Sequence, residues 1–304
     1  MLYPQARKAV DEAAGDPKVW ETGIEEARRA AREEAARAGR EDVAEVVVLE
    51  ADGVPCRLYR PAGARAGLVI HLHGGGFVFH DVDVHDAAAR RTANRCGVAV
   101  LSVDYRRPPE HRFPAAPDDV DRVLAWLERE RTALGLDGPV VLHGDSAGGN
   151  LALVAAMRNP GVASGLVLIY PFLDPTASFE SYTTAADGFD PREAAWYWQQ
   201  YAGSPDDLAH PDLAPLGPDL TGQDRLADLP PTLVVTAGQD PLRDEGEHLA
   251  ALLAEAGVEV TATRYLGQVH GFWRHPDVFD AAEPLARQVA GFVQSLAGSF
   301  VAHG

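Results

Sequence analysis

A chain of 304 residues with 45 Asp and Glu against 27 Lys and Arg, a formal net charge of −18, argues against phosphate backbones and anionic membrane surfaces as partners. With 46% hydrophobic residues it has material for one large α/β domain or two small ones, and its two cysteines, Cys56 and Cys96, exclude a disulfide framework. The N-terminus lacks the apolar stretch of a secretory signal and no apolar run approaches the roughly 20 residues of a spanning helix, so a cytoplasmic protein without membrane attachment is expected.

Residues 1–40 carry a helical pattern, with Trp20, Ile24, Ala27, Ala31 and Ala35 on one face and Glu25–Arg29 and Glu33–Arg37 as i,i+4 pairs. From Val43 the period changes to that of strands, expected over 45–50, 54–59 and 67–73, the first two joined by an Asp52-Gly53 turn. A run of three glycines and Phe77 follows, then a helix over 86–96, a strand over 97–105, a Pro-rich loop over 106–117 and a helix over 118–134. Strand 140–143, helix 151–157 and strand 165–170 continue the alternation. Residues 174–229 interrupt it with Pro, Gly, Asp and one aromatic helical piece over 191–201; strand 232–237, helix 242–256, strand 258–264 and helix 279–296 restore it. Such alternation predicts a single domain over 1–304 built on a mostly parallel central sheet flanked by helices.

Reactive groups of an open parallel sheet collect beyond the carboxyl ends of its strands. Four of those ends carry chemistry. Gly144-Asp145-Ser146-Ala147-Gly148 places a serine on a tight strand-to-helix turn, although the bare pattern also fits a helix-entry turn with Ser146 as its cap. Asp240 follows the strand over 232–237 and His270 follows the strand over 258–264; alone, the first reads as a helix cap and the second as a surface histidine. Together they stand in the chain order serine, acid, base, with Asp244 as the nearby rival acid, expected to point away. His73-Gly74-Gly75-Gly76-Phe77, at another strand end, lets backbone N–H groups approach a substrate oxygen; no lysine follows in phosphate-loop spacing.

The four motifs, the last two extending over Asp240-Pro241-Leu242-Arg243-Asp244-Glu245-Gly246 and His270-Gly271-Phe272, resemble the hormone-sensitive-lipase-like α/β-hydrolases, the bacterial family IV carboxylesterases. The resemblance covers essentially the whole chain. It implies an α/β-hydrolase fold with a two-part helical cap formed by 1–42 and 174–229. It assigns Ser146 as nucleophile, His270 as general base and then acid, and Asp240 as the orienting carboxylate. The N–H groups of Gly75, Gly76 and Ala147 become the oxyanion hole, and a homodimer through the last strand and helix is allowed. Two departures stand out: Tyr105-Arg106-Arg107-Pro108-Pro109-Glu110-His111 where the family usually reads Tyr-Arg-Leu-Ala-Pro-Glu-His, and His80 where it commonly has glycine.

The expected reaction is two-step acyl transfer through a covalent acyl-enzyme, needing no metal or organic cofactor and limited at acid pH by protonation of the base. Phe77, Trp196 and Tyr201, with Phe79, Tyr197 and Trp198, are expected to wall a pocket for small to medium acyl esters, unless they serve only to pack the insertion. The alternation His80-Asp81, Asp83 and His85 is metal-like, but polar helix-entry residues account for it. Two rivals remain: an amidase or a deacetylase of one metabolite using the same residues, and a non-catalytic small-molecule binder of the same fold.

Overall fold

The computed structural model describes residues 1–217 and 224–301, and its eight strands form one sheet in the order β1-β2-β4-β3-β5-β6-β7-β8. β1 (Glu45–Ala51) and β2 (Val54–Arg60) are a hairpin whose Asp52-Gly53 turn has φ of 47° and 84°, the two left-handed residues that such a tight turn requires. β2 pairs antiparallel with β4 (Val98–Val103). All remaining pairings, through β3 (Arg65–Leu72), β5 (Val140–Asp145), β6 (Gly165–Ile169), β7 (Thr232–Gln239) and β8 (Val260–Val269), are parallel.

Alternate residues of the central strands feed two cores. Ile70, Leu142, Leu168 and Val234 face α4 (Ala115–Glu130), α5 (Ala147–Arg158) and α9 (Arg243–Glu255). Val69, Val141, Val167 and Val235 face α3 (Asp86–Cys96) and α10 (Ala282–Val301). Burial on both faces explains why these strands read as continuous apolar runs. Cys56 and Cys96 are buried free thiols, one in each core.

The N-terminal segment, helical in pattern, forms two helices, α1 (Pro4–Ala13) and α2 (Ile24–Arg37). Gly15 and Pro17 supply the break, because the residue before a proline disfavours the helical conformation. Within α2 the exposed ion pairs differ from the expected Glu25–Arg29 and Glu33–Arg37, Arg29 meeting Glu26 at 3.9 Å and Glu33 at 3.8 Å. α2 is fixed by Arg28, whose guanidinium donates to the carbonyls of Val78 and Pro108 and pairs with Glu110. The unusual Arg107-Pro108 stretch is thus an anchor for α2, and Arg107 itself pairs with Asp104 at 3.2 Å and donates to the His80 carbonyl.

Between β6 and β7 lie α6 (Ser181–Thr184), α7 (Pro191–Tyr201), a 3-10 turn over Pro205–Ala209 and α8 (Asp224–Ala227); residues 218–223 of the predicted insertion fall outside the described residues. α7 starts where Asp190 accepts from the Arg192 N–H at 2.9 Å with Pro191 in the first turn, a position that needs no amide donor. Its Trp198 and Tyr201 are buried against Phe172 and Phe77.

Candidate active site

Ser146 sits between β5 and α5 with φ 56° and ψ −121°, a backbone conformation costly for a residue with a side chain. The turn closes only because its neighbours are glycines: a Cβ on Gly144 would lie 2.1 Å from the Gly148 carbonyl oxygen, and one on Gly148 would lie 1.9 Å from that of Leu72. Backbone bonds hold the bend, the Ser146 N–H donating to Ile169 O at 2.9 Å and the Ser146 carbonyl accepting from Phe172 N at 3.1 Å. α5 is buried along its whole length from Ala147 to Met157. The Asn150 amide donates to the carbonyls of Phe172 and Leu213, 2.9 Å each, tying this helix to the segment after β6.

His270 lies directly past β8, which is longer than the expected 258–264. Its Nε2 is 3.0 Å from Ser146 Oγ and its Nδ1 is 2.8 Å from Asp240 Oδ2. The ring packs against Tyr170 and Phe189, with centroids 4.6 and 4.9 Å away. Asp240 is fully buried and uses both oxygens, Oδ1 accepting from the Leu242 N–H at 2.9 Å at the entrance to α9. Helix-entry acceptor and histidine partner are therefore one residue doing both. Asp244 instead accepts from the Ser181 N–H at 2.8 Å and pairs with Arg243, away from His270.

Gly75 and Gly76 follow β3 with φ of 104° and 61° and line, with Ser146 and His270, a cavity of about 200 Å³. Among the described residues none accepts a hydrogen bond from the N–H of Gly75, Gly76 or Ala147. A Cβ on Gly76 would stand 2.1 Å from Tyr197 of α7, so the insertion packs directly on this loop.

The predicted pocket aromatics are placed differently. Phe77 and Tyr201 are buried and stacked on each other with centroids 3.8 Å apart, and Trp196 stacks on Phe79 at 5.7 Å; none of the three lines the cavity. Its aromatic wall is Phe79, Phe172, Phe189 and Tyr197, and His80, Glu193 and Arg274 give it a polar side. Within α7, Ala194, Trp198 and Tyr201 form the buried face, Tyr197 lies at the edge of that same face and reaches the cavity, and Trp196 lies on the opposite side of the helix.

The His80 to His85 alternation does not gather as one set. Asp81 accepts from the N–H groups of Asp83 and Val84 at 3.0 and 2.9 Å, as helix-entry polar residues do, and Asp83 pairs with Arg57 at 2.6 Å. What sequence reading missed lies beneath the serine. His143 Nδ1 is 3.0 Å from His71 Nδ1, His71 Nε2 is 3.1 Å from His85 Nδ1, and His85 Nε2 is 3.3 Å from His80 Nδ1. Burial pushes the imidazole of His143 down to about 4 and those of His71, His80 and His85 well below the ordinary range, leaving them neutral at pH 7. The same burial raises the carboxyl of Asp145, against the opposing influence of Arg274.

Residues 69–274 match the family model described as the alpha/beta hydrolase fold, and the chain belongs to that family. Among curated relatives, the carboxylic ester hydrolase LipN of Mycobacterium tuberculosis is 40% identical over 237 residues, 73% of this chain and 61% of that protein. The esterase LipI of the same organism is 37% identical over 276 residues, 86% of this chain and 84% of its own. The solved structure of the Pyrobaculum calidifontis esterase superposes with a TM-score of 0.85 at 34% identity, covering 98% of this chain and 99% of that one. Within the family, the chain is a carboxylic ester hydrolase of the hormone-sensitive-lipase-like group. No helix among the described residues is long and apolar enough to cross a membrane.

Proposed function

We propose that Ser146 is the nucleophile, His270 the base and Asp240 its orienting acid in hydrolysis of small to medium acyl esters through a covalent acyl-enzyme. The observation that carries this reading is His270, bridging Ser146 Oγ at 3.0 Å and Asp240 Oδ2 at 2.8 Å. Asp240 holds the ring with Nδ1 protonated, which leaves the Nε2 lone pair facing the hydroxyl. As Oγ attacks the ester carbonyl, Nε2 takes its proton and the carbonyl oxygen acquires negative charge. The N–H groups of Gly75, Gly76 and Ala147 stabilise that charge, the last at the start of α5, where the helix dipole adds to the effect. The imidazolium then protonates the leaving alcohol, and water attacks the acyl-enzyme by the same route.

Residues 1–42 and 174–229 act in this reading as the cap. Gly188, Phe189, Glu193 and Tyr197 of the second segment stand over the cavity, and its volume of about 200 Å³ suits short acyl groups. The protein works in the cytoplasm, in keeping with two unpaired thiols, and forms a homodimer through edge strand β8 and α10. Light scattering distinguishes that dimer from a monomer. The functional test is hydrolysis of p-nitrophenyl acetate by wild type and Ser146→Ala, alongside the matching anilide. Turnover of the ester that disappears in the variant is the expected result. Full activity in Ser146→Ala would overturn the assignment, and preference for the anilide would favour an amidase.

A further inference from the structure

We propose that His71, His85 and Asp145 form a binding site for one divalent transition-metal ion of the zinc type, beneath the serine turn and separate from the acyl-transfer chemistry. His71 lies on β3, Asp145 ends β5 immediately before Ser146, and His85 precedes α3; all three are buried, at 1%, 3% and 0% exposure. His71 Nε2 and His85 Nδ1 are 3.1 Å apart, and His85 Nδ1 is 3.6 Å from Asp145 Oδ1. One donor atom from each residue lies within 4.8 Å of the others. Metal–ligand bonds of about 2.1 Å at tetrahedral angles put donors roughly 3.4 Å apart, between the two observed spacings.

The chemistry of the set fits as well. Metal ligation needs neutral imidazoles, and burial keeps both histidines in that form. Each ligand has an outer partner. His71 Nδ1 faces His143 Nδ1, His85 Nε2 faces His80 Nδ1, and Asp145 Oδ1 accepts from the Gly74 N–H at 3.0 Å. With the ion on His71 Nε2 and His85 Nδ1, the remaining ring N–H groups donate outward to His143 and His80, which fixes both tautomers. His73, whose ring centroid is 5.6 Å from that of His85, has a buried Nε2 with no partner among the described residues. Two imidazoles and one carboxylate without sulfur suit zinc or ferrous ions, whereas calcium and magnesium favour all-oxygen sites. Arg274 acts against the cation and Asp145 for it. The ion would brace the serine turn, the strand leading to the glycine loop and the start of α3.

The test uses the 304-residue chain from zinc-supplemented cells, its metal content measured after gel filtration, then chelator-stripped protein titrated with Zn²⁺ by calorimetry and with Co²⁺ by visible absorption. One ion per chain, a four-coordinate cobalt spectrum and a raised Tm on Zn²⁺ addition are expected. Asp145→Asn, which keeps an oxygen for the Gly74 N–H, and His71→Gln should each weaken binding at least about 100-fold, beyond the cost of losing an outer partner. His111→Gln, on the surface, should leave it unchanged. A wild-type chain that neither retains nor takes up an ion overturns the proposal, as does equal affinity in correctly folded Asp145→Asn or His71→Gln. Neither result bears on whether Ser146 is a nucleophile.

Discussion

Replacing His143 by glutamine tests the energetics of the buried histidines directly. The imidazole is fully buried on β5, beside His71 and edge-on to Trp273 with centroids 5.4 Å apart, and it is pushed from 6.5 down to about 4. Because the folded value lies below the unfolded one, the unfolded chain binds the extra proton between those limits. The stability associated with neutral His143 is present above pH 6.5 and is lost as the pH falls toward 4. At pH 5 the loss is about 2 kcal/mol, and below pH 4 it approaches about 3 kcal/mol. Raised carboxyls such as Asp145 and Glu245 act in the opposite sense, so the wild-type pH profile alone mixes both contributions. Subtracting the variant isolates one group. Urea unfolding of wild type and His143→Gln in chelator, at pH 7 and pH 5, should show the wild type losing about 2 kcal/mol more on acidification. Equal losses would refute the reasoning, since His143 would then titrate alike in folded and unfolded chains.

Other substitutions probe the site and its frame. Gly148→Ala forces a Cβ to 1.9 Å from a backbone oxygen and should cost about 3 kcal/mol or more, read as a lowered Tm; an unchanged Tm would show that the turn relaxes freely. Asn150→Ala removes the donor to two buried carbonyls and should cost about 2–3 kcal/mol by urea unfolding, with no loss meaning that water replaces the amide. Asp240→Asn should lower kcat by about 10³- to 10⁴-fold with circular dichroism unchanged; a loss below tenfold would leave His270 oriented by other groups. Tyr197→Ala opens the wall over Gly76 and should raise kcat/KM for octanoyl relative to acetyl esters, whereas an unchanged ratio would place chain-length selection elsewhere.

Much of the frame was legible because it follows from local rules. Strand and helix periods located all eight strands, and the glycines around Ser146 announced a turn whose need for them is steric. Asp240 and His270 were found because each leaves the carboxyl end of a parallel strand. The wall of the cavity was harder. In PREAAWYWQQY the aromatic residues point in several directions, and only the packing of α7 shows that Tyr197 faces the site and Tyr201 the interior. The histidine row was hidden for a similar reason. His71 and His143 are 72 residues apart in sequence, and they meet because β3 and β5 pair in register with those two opposite each other. Nothing local encodes that register. The break between α1 and α2 falls at Gly15 and Pro17, ahead of the apolar face that begins at Trp20.

The central claim is that Ser146 forms a covalent bond to substrate, and trapping it is the most direct measurement. Wild type treated with an activated p-nitrophenyl phosphonate should gain one phosphonyl mass on the peptide containing Ser146, in step with loss of esterase activity, and Ser146→Ala should gain none. Inactivation with the label on another residue, or full activity retained after Ser146 is stoichiometrically labelled, would contradict the account.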